Sequence, residues 1–202
     1  MFSKDGCLKI SQSPHGPHNI IPSLINPHTT ILDIGCNTGL LGKSLKNKHV
    51  IADGIDINTK ALKIAKKYYR KIYCRDLTSG KLNINHDKYD YIILSDILEH
   101  LPRPDTLLKE CAKYLNKNSL LIISLPNIGR FEIRLKLLFG KFDYTGGIMN
   151  PDHLRFFTYE SSVNLIKHCG FEVIRTIPTG LGHIIKIFPT LTAFQYIFIC
   201  KN

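Results

Sequence analysis

With 202 residues, 44% hydrophobic and 21% charged, the chain suits one domain around one core and is not composed like a disordered or fibrous protein. A net charge of +11 would draw it toward nucleic acid, anionic lipid or phosphorylated substrates. No dense basic block appears, and lysines spread over solvated helix faces account for the excess more simply. The cysteines Cys7, Cys36, Cys74, Cys111, Cys169 and Cys200 form no C-x-x-C pair, and several sit in apolar runs. That pattern reads as a reduced, cytoplasmic protein without zinc. Residues 1–6 lack the apolar core of a signal peptide, and no apolar run approaches membrane-spanning length.

Residues 1–29, rich in Ser, Pro, His and Asn, read as an N-terminal cap segment with a short helix over 18–25 between Pro17 and Pro27. Strands and helices then alternate: strand 30–34, helix 40–46, strand 50–56, helix 59–69 and strand 71–74. Strand 89–95 follows, then a helix opened by Pro104 and running to about 115, and a strand over 119–125 stopped by Pro126. This alternation marks βαβ units and a parallel sheet with right-handed crossovers. In the helix over 59–69, Asn58 or Thr59 caps the start. Ala61, Leu62, Ile64, Ala65 and Tyr68 make one apolar stripe, leaving the lysines largely on solvent-facing sides.

After Pro126 the pattern changes. An extra amphipathic helix is expected over 128–139 and a Gly- and aromatic-rich loop over 140–157, so that 127–157 forms an insertion lying over the site as a lid. Thr158 caps a helix over 159–169 that Gly170 ends, and strands over 171–177 and 193–200 can pair antiparallel. The expected fold is α/β: a single-domain, doubly wound, Rossmann-like sheet over residues 1–202, mostly parallel with an antiparallel last strand.

The run from Thr30 to Leu41 reads as a buried strand, an acid, a Gly-containing turn and a helix start. It places bare backbone N–H groups and one carboxylate at the carboxyl end of a parallel strand, where open α/β sheets bind nucleotide-like ligands. A carboxylate in that turn would repel a pyrophosphate, so Asp33 argues for a ligand carrying positive charge. Asp56, ending strand two, can accept both hydroxyl protons of a ribose, or serve as an Asx turn. Asp76, after strand three, can accept from an adenine amine, or be a simple turn residue. Together these acids stand at the ends of successive strands and would converge on one edge of the sheet.

Leu32-Asp33-Ile34-Gly35-Cys36-Asn37-Thr38-Gly39, Gly54-Ile55-Asp56-Ile57, Arg75-Asp76-Leu77 and the strand running from Tyr89 to Asp96 resemble the class I methyltransferases that use S-adenosylmethionine. The resemblance covers nearly the whole chain. It implies that S-adenosyl-L-methionine is held by Asp33, Gly35, Cys36, Asn37, Gly39, Leu40, Asp56, Ile57, Asp76, Leu77, Ser95 and Asp96. In that arrangement Asp33 and backbone carbonyls face the cationic sulfonium and amino groups. Asp56 holds the ribose, and Asp76 takes the adenine amine between Ile57 and Leu77. The family commonly has a second glycine where this chain has Asn37. Asn tolerates left-handed backbone best among the other residues, so the turn should survive with its amide near the methionine portion.

Downstream, Ser124-Leu125-Pro126-Asn127, the segment from Arg134 to Gly140 and His153-Leu154-Arg155-Phe156-Phe157-Thr158 look like bacterial methyltransferases of glycan and O-antigen pathways. They are also similar to the methionine-biosynthesis protein MetW. The last segment favours the glycan-associated group. Ser95-Asp96-Ile97-Leu98-Glu99-His100 resembles the E-x-x-E-H element of ubiquinone-pathway O-methyltransferases and small-RNA 2′-O-methyltransferases. That likeness implies a divalent cation on Asp96, Glu99 and His100, with His153 as a distant fourth ligand. Asp96, Glu99 and His100 fall on about one helical face at this spacing. His100 as general base, helix-capping acids and a merely satisfied buried histidine stay open beside it.

Arg130, Arg134, His153 and Arg155 are candidates for an acidic substrate group, against ordinary surface pairing. The expected reaction is methyl transfer to a hydroxyl of a sugar or other small metabolite, with a small-molecule or glycan acceptor as the partner. A nucleic-acid methyltransferase is not favoured, since no RNA-binding appendage is recognisable. A MetW-like non-catalytic partner of a biosynthetic enzyme is the other rival.

Overall fold

The computed structural model describes residues 15–85, 88–184 and 188–202, with the backbone alone at Ile184. Cys7 and residues 1–14 of the expected cap segment lie outside the described residues. The elements run α1 (Pro17–Leu24), β1 (Thr30–Ile34), α2 (Leu40–Ser44), β2 (Ile51–Asp56), α3 (Thr59–Ala65), β3 (Lys71–Cys74) and β4 (Tyr89–Ser95). Then come α4 (Pro104–Ala112), β5 (Leu115–Pro126), α5 (Phe131–Leu138), α6 (Tyr159–His168), β6 (Glu172–Pro178), α7 (Leu181–Ile184), α8 (Pro189–Thr192) and β7 (Gln195–Lys201).

The strands form one seven-stranded sheet in the order β3-β2-β1-β4-β5-β7-β6. β1 pairs in parallel with both β2 and β4, and β7 pairs antiparallel with β5 and β6. The expected sheet, parallel but for its last strand, is the one observed. Strand order reverses beside β1, which opens a crevice at the carboxyl ends of β1 and β4.

Central strands are apolar on both faces because both are covered. Along β4, Tyr89, Ile92 and Leu94 enter the cluster on one side, while Tyr91 and Ile93 enter the cluster on the other. One charge is buried beneath this sheet. Asp53 is fully buried and accepts from Arg70 Nε at 2.9 Å and Tyr89 Oη at 2.9 Å. A buried carboxylate survives only with such partners.

Two elements differ from expectation. α3 ends at Ala65, not near Tyr69, and the chain then turns so that Tyr69 folds inward, 7% exposed. Ile64, expected in the apolar stripe, is 47% exposed. β5 starts at Leu115, earlier than the apolar run at 120–125, because Tyr89 pairs with Leu115. Asn58 caps α3, accepting from the Lys60 and Ala61 N–H groups. Thr158 forms a capping box with Ser161 at α6, and Gly170 follows that helix at φ +91°.

Candidate active site

The turn after β1 is built from left-handed residues. Gly35, Asn37 and Gly39 have φ of +80°, +45° and +85°. At Gly35 a Cβ would stand 1.9 Å from Ile97 Cδ1, so glycine lets the β4 loop pack against the turn. Asn37 occupies its left-handed position as expected.

The N–H groups expected to be bare are spent within the protein. Gly35 and Cys36 both donate to the Ile55 carbonyl, at 2.8 and 2.9 Å. Asn37 N–H donates to Asp56 Oδ2 at 2.9 Å, and Gly39 N–H to the Cys36 carbonyl at 2.9 Å. The turn therefore faces a ligand with acceptors more than donors. This strengthens the argument against pyrophosphate through the N–H groups instead of through Asp33.

Asp33 stands behind the turn. It is 4% exposed, does not line the cavity, and accepts a short hydrogen bond from Tyr69 Oη. Tyr69 Oη in turn accepts from Gly42 N–H at 3.2 Å, tying β1 to α2. Burial raises the Asp33 carboxyl to about 7, partly offset by the Tyr69 bond.

A cavity of about 520 Å³ opens in front of the turn, at the strand ends. Of the residues expected around the methyl donor, Gly35, Asn37, Asp56, Ser95 and Asp96 line it. Asp33, Cys36, Gly39, Leu40, Ile57, Asp76 and Leu77 do not. Cys36 is buried in the core beneath the turn, against Gly54. Asp76 is a turn residue: its Oδ1 accepts from Thr78 N–H at 2.9 Å, and that hydrogen bond holds its carboxyl below the usual range. Ile57 is 63% exposed beside β2, and Leu77 is buried in the core.

Asp56 uses its two oxygens on Asn37 N–H and on Asn58 N–H, the latter at 2.8 Å. Four lone-pair positions on a carboxylate leave room for a diol as well. On the residue whose N–H it accepts, Asn37, the side-chain Oδ1 is buried without a partner, and that residue lines the cavity. An orphaned acceptor of this kind fits the amino group of a methionine moiety.

A model of a methyltransferase domain family matches residues 14–176. The chain belongs to this methyltransferase-domain family. A ubiquinone biosynthesis O-methyltransferase from Glaesserella parasuis is 31% identical over 106 residues, covering 48% of this chain and 45% of that protein. One from Histophilus somni is 25% identical over 161 residues, covering 70% and 67%. The chain thus spans about half the length of the first of these relatives. A SAM-dependent methyltransferase from Methanosarcina mazei superposes with a TM-score of 0.65 at 18% identity, over 96% of this chain and 99% of that one. The magnesium protoporphyrin IX methyltransferase from Synechocystis, with bound SAH, gives 0.62 at 19% identity, over 91% and 78%. These likenesses are of fold, and the chain is a class I, Rossmann-like methyltransferase domain.

The segment after β4 departs from a helical reading. Asp96 has φ +55° and precedes a single 3₁₀ turn, Leu98–His100, so Asp96, Glu99 and His100 do not share a helical face. Asp96 Oδ1 accepts from Ser124 Oγ at 2.7 Å and from Gln195 Nε2 at 2.6 Å, which fixes it to β5 and β7. Glu99 is 1% exposed and neither carboxylate oxygen has a partner. Burial, then the nearby Asp96, pushes its carboxyl well above the usual range.

His100 and His153 face each other edge-on with ring centroids 4.8 Å apart. His100 Nδ1 bonds the Asp152 carbonyl at 3.0 Å and His153 Nδ1 the Ile148 carbonyl at 2.9 Å. A carbonyl only accepts, so both rings carry a proton on Nδ1, and the lone pair of the neutral ring is on Nε2. Burial lowers the His153 imidazole, favouring its neutral form. Among the described residues, Glu99, His100 and His153 can each bring one ligand atom within 4.8 Å of the others. Asp96 is not in that set. The donor chemistry, two imidazoles and an orphaned carboxylate, fits a divalent cation.

Of the anion candidates, Arg130 and His153 line the cavity. Arg130 pairs with Glu132 and lies over Phe194, 5.3 Å from the ring centre. Arg134 donates to the Gly129 carbonyl and Arg155 to the Pro102 carbonyl, and neither lines the cavity. Residues not anticipated from the sequence complete the wall: His15 and His18 from the N-terminal segment, Thr179 just after β6, Phe194 just before β7, and Gln195 at the start of β7. The His15-Gly16-Pro17-His18 run was a visible signal, but nothing in it pointed toward the strand ends.

Proposed function

We propose that this domain transfers the methyl group of S-adenosylmethionine to a hydroxyl oxygen of a small molecule. The observation that carries this reading is one cavity shared by Asp56, the orphaned Asn37 oxygen and the His100–His153 pair. Bound S-adenosylmethionine supplies an electrophilic methyl on a sulfonium. Asp56 would accept from its ribose hydroxyls, Asn37 Oδ1 from its amino group, and Ile57 would offer an exposed apolar face to the adenine. Asp33 acts through Tyr69 as a support of the turn and does not touch the donor.

His100 Nε2 would take the proton of the acceptor hydroxyl as oxygen approaches the methyl carbon. The Asp152 carbonyl holds the ring in the tautomer this requires. Holding acceptor oxygen, methyl carbon and sulfur in line supplies much of the rate. In the alternative use of this cluster, Glu99, His100 and His153 would hold a divalent cation; His100 Nε2 would then be a ligand and not the base, and the cation would supply Lewis acidity toward the acceptor oxygen. Arg130, beside Phe194, would receive an anionic or aromatic part of the acceptor.

The relatives named as ubiquinone biosynthesis O-methyltransferases support oxygen as the acceptor atom. A sugar hydroxyl, as in the glycan-associated group, is equally served by this chemistry. Incubation with methyl-labelled donor and panels of phenolic and sugar acceptors, read by mass spectrometry, tests the reading. O-methyl products are expected. Labelling confined to nitrogen or to nucleic acid, or none by folded protein that binds S-adenosylhomocysteine, would overturn it.

A further inference from the structure

The fold gathers the positive charge of the chain onto one side. Residues 34–75 hold ten Lys and Arg against Asp53 and Asp56, a balance of +8, and the rest of the chain carries only +3. Apolar strand and helix positions interrupt the lysines along the sequence, and those positions are the ones that folding buries. Leu45, Leu62, Ala65 and Tyr69 enter the same core cluster as Ile21 of α1, so α1, α2 and α3 cover one face of the sheet. Gly42 N–H donates to Tyr69 Oη at 3.2 Å, and a Cβ on Gly39 would stand 3.0 Å from Ala65 Cα, which sets α2 against the end of α3.

Six lysines are exposed on this pair of helices: Lys43 and Lys46 on and just after α2, Lys60 and Lys63 on α3, and Lys66 and Lys67 in the turn behind it. None of the six is in an ion pair among the described residues. Lys48 differs, its Nζ being spent on the Pro22 and Ile25 carbonyls. Acids do not offset the six. Residues 15–32, including α1, contain none; Asp33 and Asp53 are buried, and Asp56 lines the cavity. The exposed acids at the margins are Asp76, after β3, and Asp90, which accepts from Thr30 at the amino end of β1.

Ordinary solvated helices intersperse both signs, and like charges three or four residues apart, as at Lys60, Lys63 and Lys67, repel each other. A field of one sign therefore selects a partner of dense opposite charge. The exposed apolar residues here, Ile51, Ile57 and Ile64, come from separate elements and make no strip that could enter a bilayer. Unpaired lysines without an aromatic or arginine anchor are also unlike the core of a protein–protein interface. A chain of closely spaced phosphates matches six point charges spread over two adjoining helices.

We propose that the α2–α3 face binds the phosphate backbone of nucleic acid without reading its bases. None of the six lysines lines the cavity, so the nucleic acid is a docking partner and not the methyl acceptor. The assay needs neither donor nor acceptor, which keeps its outcome separate from the methyl-transfer reading.

Fluorescence anisotropy of the full chain with labelled mixed-sequence RNA and DNA oligonucleotides is the test. Binding that is indifferent to sequence and falls steeply with salt is expected. K63E/K67E should weaken it by about tenfold or more and lower the log–log salt slope by about two. K109E/K167E changes net charge equally on α4 and α6, which pack on the other core cluster, and should weaken binding far less. S-adenosylhomocysteine affinity, unchanged in both variants, reports that each is folded. No salt-dependent binding by folded wild-type protein would overturn the proposal, as would equal losses in the two variants. Binding to phosphatidylglycerol vesicles or to polyglutamate, with none to oligonucleotides, would overturn it in favour of a lipid surface or an acidic protein.

Discussion

At the β1 turn most polar groups are satisfied by the protein itself, while across the cavity the Glu99 carboxylate lacks hydrogen-bond partners and two imidazoles are held through Nδ1 alone. The turn spends its N–H groups on Ile55, Asp56 and Cys36, and Asp33 on Tyr69. These bonds brace the turn from within, and the buried side-chain atom they leave without a partner there is Asn37 Oδ1. Across the cavity, in the proposed acceptor site, the two imidazoles are held from behind through the Asp152 and Ile148 carbonyls, and no protein partner takes up their Nε2 atoms. Preorganisation serves a donor of fixed shape, and unmet bonding capacity serves a reaction.

That contrast can be broken at each end. The largest effect is expected at the acceptor side. His100→Ala should lower the methyl-transfer rate by about 10²- to 10⁴-fold while leaving S-adenosylhomocysteine affinity within about twofold. If affinity falls equally, His100 belongs to the donor site.

Asp33 probes the rigid end through pH. Its carboxyl is raised by burial to about 7, so the folded protein holds a proton that the unfolded chain releases near 4. The stabilisation from that retained proton is complete below pH 4 and lost as pH rises through 7. Asp33→Asn should flatten this part of the profile and gain stability at pH 8, by at most about 4 kcal/mol. Urea midpoints at pH 5 and pH 8 check the sign. A larger gain at pH 5 than at pH 8 would contradict it.

Asp56→Ala removes both the brace on Asn37 and the ribose acceptor, and should weaken S-adenosylhomocysteine by about 10- to 100-fold in calorimetry. The smallest effects separate the arginines. Arg130→Ala should raise the acceptor KM by about tenfold, whereas Arg155→Ala, spent on the Pro102 carbonyl, should change kcat/KM by less than about twofold.

Which parts were legible in the sequence follows from the same physics. β1, β4 and the core of β5 were readable because strands buried on both faces are continuous apolar runs. The early start of β5 at Leu115 was hidden in Asn116-Lys117-Asn118, where cross-strand pairing overrides polarity. Asp33, Asp56 and Asp76 look alike as acids at strand ends, yet one is buried on Tyr69, one lines the cavity and one makes a turn. Spacing locates a strand end but not the direction a side chain takes there. The same limit applied to Asp96. Its left-handed backbone and its bonds to Ser124 and Gln195 set it apart from the Glu99–His100–His153 cluster, although the resemblance implied a cation on all four. His100 and His153, far apart in sequence, stand together because the Leu154 and Arg155 N–H groups both bond the Glu99 carbonyl.

The central claim is that the β1 turn and Asp56 form a site for S-adenosylmethionine. Isothermal calorimetry with S-adenosylhomocysteine measures it directly, on the wild-type chain and on Asp56→Ala. One-to-one binding, clearly weakened by the substitution, is the expected result. No heat of binding from well-folded wild-type protein, or equal affinity in Asp56→Ala, would contradict the account.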